Sequence, residues 1–423
     1  MTAYCTDLAD YRWLTGPDAA VVLRDLADCT AGANGEPLHA AAGRLRRSFS
    51  ARRVHLLLQQ AELRRRATAK FASPERLFFT RPGLEQATDQ WVARYKARRF
   101  AEAAKRGPLA DLCCGIGGDL LALAAAGTVT GVDRDPIATC LAAANTHGGA
   151  KLATAEVDGV DACVFAAWHI DPDRRPAGSR TTSLDWSSPN QGAVERLLVA
   201  APHAAMKLAP AADVPAAWAE RCELEWISRD RQCRQLVAWH GDLAEAPGVR
   251  RATVLSRDGR VVRSVVGQPS RGVSCAGPLD RFLLEPDAAL LAAHLSGILA
   301  DEYGLSTISP GIAYLTGSRA ISDPALACFE VEAVLPLKLR VLARHLRTRG
   351  IGRLEIKKRG VDYDPEQVRR ALKLRGDDSA TLILTQLNRK RVAIVARRLQ
   401  TGDAVASPTP ESPILNPPHA ARL

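Results

Sequence analysis

Between Leu109 and Arg134 the chain reads LADLCCGIGGDLLALAAAGTVTGVDR, and this stretch restricts the fold more than any other. An apolar run from Pro108 to Cys114 meets a turn carrying Gly115, Gly117 and Gly118. An Ala/Leu helix follows from Asp119 to Ala126, and a second apolar run ends in Asp133. The order is strand, tight turn, helix, strand, acid. Glycines in such a turn let a ligand approach the backbone, and an acid about 20 residues further on can accept hydrogen bonds from both hydroxyls of a ribose. The unit therefore reads as a nucleoside pocket.

Details of the turn narrow the ligand. A dinucleotide fingerprint counted from Gly115 would need a glycine where Leu120 stands, and no lysine occupies the place that a phosphate-binding loop requires. Asp111 lies in the turn region and Asp119 opens the helix, and negative groups there disfavour a pyrophosphate while suiting a ligand with a positive sulfonium and an amino group. These residues resemble motif I of the class I S-adenosylmethionine-dependent methyltransferases. The resemblance implies S-adenosylmethionine as cofactor, Asp133 as its ribose-binding acid, and contacts from Asp111, Cys113, Gly115, Gly117 and Asp119. It also implies a Rossmann-like α/β sheet.

The segments on either side support this frame. Arg76 to Phe100 reads as a short apolar strand-like piece, Leu77 to Thr80, then a Pro-Gly turn and an amphipathic helix from Leu84 to Phe100. By the resemblance such a segment lies against the cofactor pocket, with Thr80, Glu85 and Gln86 in its wall. After a helix from Pro136 to Asn145 and a short strand from Lys151 to Ala155, Glu156 or Asp158 stands where an acid commonly meets the adenine amine. The fourth strand, Ala166 to Ile170, runs into HIDPDRRP. Ligands of open α/β sheets bind at the carboxyl ends of parallel strands, and the stretch resembles motif IV of the same superfamily. Asp171 and Pro172 match that motif, Asp173 replaces its second proline, and Arg174 replaces its aromatic. The resemblance makes Asp171, Pro172 and Asp173 the catalytic candidates, with Asp171 and the Pro172 carbonyl orienting the nucleophile. Without the aromatic a flipped base loses its stacking platform, so base methylation does not follow. Arg174 and Arg175 can instead grip a phosphate or carboxylate, or pair back onto Asp171 or Asp173. Further on, Ala204 to Leu208 reads as a fifth strand, Cys222 to Ser228 and Gln235 to Trp239 as antiparallel closing strands, and Arg251 to Leu255 with Val261 to Val266 as a hairpin turned by Asp258-Gly259.

Charge is concentrated in one place. The net charge is +11, yet residues 336 to 399 alone hold 18 Lys and Arg against 6 Asp and Glu, which leaves the remainder of the chain close to neutral. A local excess of that kind is the footprint of a nucleic-acid binder. Ten cysteines are scattered without metal-ligand or cluster spacing, so zinc, iron–sulfur and disulfide frameworks are not expected. Cys113 and Cys114 read as small packing residues. No apolar run approaches the ~18 residues of a spanning helix, and the first residues lack the pattern of a signal peptide. A cytoplasmic protein without metal or membrane partner is the expectation.

From Phe329 the pattern becomes β-α-β-α-β-β, a small α+β module. IGRLEIKKRGVDYDPEQVRRALKLRG and ATLILTQL resemble the THUMP-like domain at the carboxyl end of some bacterial methyltransferases. That resemblance implies RNA as partner, with Lys357, Lys358, Arg359, Arg369, Arg370, Lys373 and Arg375 as phosphate contacts. The expected organisation is a helical region over 1–75, the methyltransferase domain over 76–266, a connecting segment over 267–328, the THUMP-like domain over 329–399 and a disordered tail over 400–423. The basic run Arg64-Arg65-Arg66 is either a solvated helix face or an RNA contact. A small-molecule or protein acceptor, or RNA binding without catalysis, are the alternatives to RNA methylation.

Overall fold

The computed structural model describes residues 7–30, 38–173, 187–269, 272–275 and 279–400. Contacts divide the chain into two compact units, Met1–Gln268 with Ala288–Leu295 and Pro269–Asp287 with Ser296–Leu423. Most of the expected tail, together with Arg174 and Arg175, lies outside the described residues.

The first unit is built on nine strands: β1 (Leu109–Leu112), β2 (Val129–Asp133), β3 (Lys151–Thr154), β4 (Ala167–Ile170), β5 (Ala204–Leu208), β6 (Glu223–Arg229), β7 (Gln232–His240), β8 (Arg250–Leu255) and β9 (Val261–Gly267). Their order in the sheet is β3-β2-β1-β4-β5-β7-β6-β8-β9. The first five strands are parallel, and β7 runs antiparallel to both β5 and β6. Every residue of β1, β4 and β5 is buried, as expected of parallel strands covered on both faces. Chain order reverses where β1 lies between β2 and β4, and this switch point opens a crevice at the carboxyl ends of the strands.

The amino-terminal helices Leu8–Leu14, Pro17–Thr30, Leu38–Leu45 and Ala51–Ala67 follow their apolar periodicity. Leu14, Leu23, Leu26, Leu57 and Leu63 share one core with Phe78, Phe79, Leu84, Ile116 and Leu141. Arg64, the first of the basic run, is a structural residue: it donates to the Leu77 carbonyl at 3.0 Å and stacks over Phe78.

Leu77 to Thr80 is extended but joins no sheet. Side-chain amides do the work of a neighbouring strand. Asn145 Oδ1 accepts from Phe78 N at 2.7 Å, while Asn145 Nδ2 donates to Phe78 O and Ile116 O at 3.0 and 2.8 Å. Gln60 brackets the same segment, donating to Leu77 O and accepting from Phe79 N. The single helix expected from Leu84 to Phe100 is broken into Arg81–Gln86, Gln90–Ala97 and a short turn at Arg98–Phe100. Asp89 causes the break by capping the second piece, its carboxylate accepting from Trp91 N and Val92 N.

The second unit holds the sheet β11-β12-β10-β13-β16-β15-β14. Its strands are β10 (Phe282–Pro286), β11 (Ser306–Thr307), β12 (Leu315–Gly317), β13 (Leu326–Pro336), β14 (Ile351–Lys358), β15 (Asp378–Leu387) and β16 (Lys390–Arg398). With helices Leu339–Thr348 and Pro365–Leu372, the part from β13 onward has the expected β-α-β-α-β-β order. Alternation divides β15 between two cores: Leu382 and Leu384 pack beneath the helices with Leu342, Leu346 and Val368, whereas Ile383 packs with Tyr314, Phe329 and Ile312 on the other face. Residues 267–328, expected only to connect, supply three strands to this sheet, while the helix Ala288–Ala293 belongs to the first unit. Strands of two to five residues are too short for their period to show in a sequence. Among the described residues no helix is long and apolar enough to cross a membrane.

Candidate functional site

A cavity of about 660 Å³ occupies the crevice of the first unit. Three backbone conformations shape its floor: Cys113, Gly115 and Gly117 have φ of 56°, 52° and 89°. Glycine takes this left-handed region at little cost, and a cysteine there is uncommon. Gly118 has a different task, since a Cβ on it would stand 3.1 Å from Thr88 N, so the residue admits the chain after helix Arg81–Gln86 close to the turn.

Of the residues expected to hold the cofactor, Asp111, Cys113, Gly115, Asp119, Asp133, Glu156 and Asp158 line the cavity. Gly117 does not; it lies against Ala142 and serves the turn's geometry. Asp133, at the end of β2, accepts from Gly115 N at 2.8 Å and from Asp135 N at 2.9 Å, one bond to each oxygen. Each oxygen keeps a lone pair. Burial pushes its carboxyl up from the usual range, against those two bonds. Asp158 lies 3.3 Å from Arg196, both largely exposed, whereas Glu156 has no partner among the described residues. Burial also pushes the Cys113 and Cys114 thiols well up, which disfavours their thiolate forms.

Asp111 and Asp119 are the two ends of a buried polar chain. Asp111 Oδ1 lies 2.7 Å from His169 Nδ1, His169 Nε2 lies 3.0 Å from Lys96 Nζ, and Lys96 Nζ lies 2.7 Å from Asp119 Oδ1. Thr88 Oγ1 donates to the other Asp119 oxygen at 2.6 Å. Burial opposes the charge on Asp119, but the Lys96 ammonium outweighs it and holds the carboxyl well below the usual range. Asp119 thus reaches the cavity with one oxygen hydrogen-bonded to Thr88 and the other ion-paired with Lys96, which corrects its reading as a free helix-opening charge.

The motif-IV residues Asp171, Pro172 and Asp173 also line the cavity. Among the described residues Asp171 has a charged partner. It is Lys207 of β5, whose ammonium sits 2.5 Å from Asp171 Oδ2 and donates to Gln86 O at 3.0 Å. Asp173 pairs its backbone with Ser188, and Arg134 approaches its carboxylate at 3.7 Å. Thr80, Glu85 and Gln86 stand in the wall as the resemblance implies. Lys70 fixes that wall by donating to the carbonyls of Leu84, Glu85 and Ala87, with its amine pushed down to about 8 by burial and by Lys207 nearby. Lys70, Lys96, His169 and Lys207 are the residues that sequence reasoning missed. The available signal was a lone polar residue inside an apolar run, as in AWHI and AAMKL.

In the second unit the basic residues separate by function. Lys357 lies 2.7 Å from Glu285 and near the Phe329 ring, and Arg359 approaches the same carboxylate at 3.8 Å while stacking over Tyr314. Both are committed within the unit, which corrects their reading as free phosphate contacts. Lys358, Arg369, Arg370, Lys373 and Arg375 are exposed. Arg369 is held by Glu366 and by the Leu354 carbonyl. Lys358, Arg370, Lys373 and Arg375, together with Arg340 and Arg344 on helix Leu339–Thr348, have no carboxylate partner among the described residues.

Comparison with known proteins gives residues 326–398 as a match to the THUMP domain-like family and residues 7–67 as a match to a domain of unknown function, DUF8688. The chain is 31% identical over 351 residues to an uncharacterised S-adenosylmethionine-dependent methyltransferase of Mycobacterium tuberculosis, strain H37Rv, across 79% of this chain and 93% of the relative. The counterpart in strain CDC 1551 / Oshkosh matches to the same extent. A crystal structure from Porphyromonas gingivalis W83, provisionally assigned as a methyltransferase, has the same fold, with a TM-score of 0.70 and 19% identity over 93% of this chain and 98% of that one.

Proposed function

Because the chain belongs to the S-adenosylmethionine-dependent methyltransferases, we propose that it methylates RNA by direct transfer, with no covalent bond between enzyme and acceptor. One buried atom tests whether the cavity suits the cofactor. Asp111 lines the cavity at 1% exposure, and its Oδ2 has no hydrogen-bond partner. A buried carboxylate oxygen left bare is costly, and the ammonium of S-adenosylmethionine is the group that would satisfy it. The residues fit.

S-adenosylmethionine supplies an electrophilic methyl group on a positively charged sulfur. The chain supplies placement, which is where most of the rate of such a transfer comes from. Asp133 would take the ribose hydroxyls on its remaining lone pairs, and Glu156, unpartnered at the end of β3, would meet the adenine amine. Asp171 and the Pro172 carbonyl would orient the acceptor, with Lys207 fixing the Asp171 carboxylate against the wall at Gln86. No Phe, Tyr or Trp stands among the described lining residues, so hydrogen bonds and charge, rather than ring stacking, would hold the acceptor. Burial pushes the Cys113 and Cys114 thiols up, which disfavours a thiolate nucleophile at either of these two lining cysteines.

The single observation that carries RNA as substrate is the charge of the carboxyl-terminal module, 18 Lys and Arg against 6 Asp and Glu over residues 336–399. The helices Leu339–Thr348 and Pro365–Leu372 share one core, and Arg340, Arg344, Arg370 and Lys373 on and beside them would bind phosphates. Mass spectrometry of nucleosides from total RNA, with and without the gene, tests the proposal. Loss of one methylated nucleoside, restored by methyl transfer in vitro to RNA from the deletion strain, is the expected result. An unchanged nucleoside profile would refute an RNA acceptor and leave a small molecule or a protein.

A further inference from the structure

The chain from Asp111 to Asp119 has a definite proton arrangement. Strands β1 and β4 pair in register with Asp111 opposite His169, which sets the two side chains together in a layer where both are at most 1% exposed. A lysine ammonium can only donate. His169 Nε2, 3.0 Å from Lys96 Nζ, must therefore carry a lone pair, and the single ring proton sits on Nδ1, where it is donated to Asp111 Oδ1. Lys96 is ion-paired with Asp119 at 2.7 Å. The groups facing this array are Lys96 from helix Gln90–Ala97, His169 from β4, Thr88 and, beyond Asp119, Lys207 from β5, which is itself paired with Asp171. Two carboxylates thus share one ammonium and one neutral imidazole. The uncompensated negative charge falls on Asp111, a residue that lines the cavity and whose Oδ2 has no hydrogen-bond partner.

We propose that Lys96 and His169 are positioning residues that make Asp111 a single-acceptor counter-charge for the ammonium of the cofactor's amino-acid end, so that the array selects nucleosides bearing an amino acid on sulfur over those without one. The proposal rests on the cofactor reading above. The tautomer is what gives the array its precision. With Nδ1 as donor, one Asp111 oxygen is occupied, and only the other is left for a ligand. A cation meeting that oxygen neutralises the array; an uncharged thioether leaves the charge buried and unpaired. Burial pushes the Asp111 carboxyl up, against the pull of His169, so a proton competes with the ligand's ammonium for the same place.

Isothermal titration of the full chain with two probes tests this. S-adenosylhomocysteine carries the amino acid, and 5′-methylthioadenosine has the same nucleoside and sulfur without it. Asp111→Asn, His169→Phe and Lys96→Met are each expected to weaken S-adenosylhomocysteine by about 10- to 100-fold and to leave methylthioadenosine unchanged, with Lys96→Arg restoring most of the loss. Equal loss of both ligands would show a merely structural role and overturn the proposal, as would undiminished binding of S-adenosylhomocysteine. Should the two core variants fail to fold, the isosteric Asp111→Asn decides by the same comparison. A parent protein that binds methylthioadenosine but not S-adenosylhomocysteine overturns the proposal alone, and one that binds neither removes the cofactor reading with it.

Discussion

Asn145 is a small side chain on which the geometry of the cavity depends, and replacing it with leucine isolates what it does. The amide is 1% exposed and makes three hydrogen bonds, with Phe78 N, Phe78 O and Ile116 O. Leucine has the same branched skeleton of four heavy atoms and is bulkier, so no cavity is opened, but it leaves three backbone groups without partners. Each orphaned group costs about 1–3 kcal/mol, and three in one place relax together rather than adding fully, so a loss of about 3 kcal/mol is expected. At roughly 2–4 °C per kcal/mol for a unit of this size, the melting temperature should fall by about 6–12 °C. Gln60→Leu removes only two such bonds, to Leu77 O and Phe79 N, and should cost less. Thermal unfolding followed by circular dichroism, without ligand, measures both. A fall of less than about 2 °C for Asn145→Leu, or a larger fall for Gln60→Leu, would refute the view that these amides replace a missing strand.

Three further outcomes are expected. Asp133→Ala removes the acceptor of Gly115 N and Asp135 N as well as the ribose acid, so it should weaken S-adenosylhomocysteine and methylthioadenosine alike, by about 10-fold or more, in contrast to the Asp111 series; selective loss of one ligand would contradict the assignment. Acidification should weaken S-adenosylhomocysteine, because the proton on Asp111 must leave before the ammonium can bind and burial holds that proton above the ordinary carboxylate range; the loss therefore begins as pH falls through the raised value, and titration calorimetry should show none of it for methylthioadenosine. Replacing Arg340, Arg344, Arg370 and Lys373 with alanine should weaken RNA binding across sequences and reduce the salt slope by about 0.7–0.9 for each phosphate no longer neutralised, whereas Lys357→Ala, which breaks the pair with Glu285, should lower the melting temperature and leave the slope unchanged.

Much of the molecule can be read from local pattern, because its main signals are local. The glycine turn after β1, the acid ending β2 and the alternation of β15 each depend on neighbours within a few residues, and each stands where the pattern puts it. Even the break at Thr88-Asp89 is readable, since a capping residue inside an amphipathic run competes with the helix. What the pattern does not reveal is which polar side chains meet. Asp111 and His169 are 58 residues apart, and they touch only because the switch point sets β4 beside β1 in that register. A residue such as His169 in AWHI or Lys207 in AAMKL nevertheless leaves a trace. A wholly buried parallel strand has no water for a polar group, so that group must be satisfied by another element at the same depth. In this chain β4 and β5, which carry His169 and Lys207, both end at the cavity, and in each case the partner is a carboxylate of the two sequence motifs: Asp111 for His169, Asp171 for Lys207. An isolated polar residue in a buried strand therefore signals a polar partner on a neighbouring strand, and the register of the sheet decides which of the motif carboxylates it is.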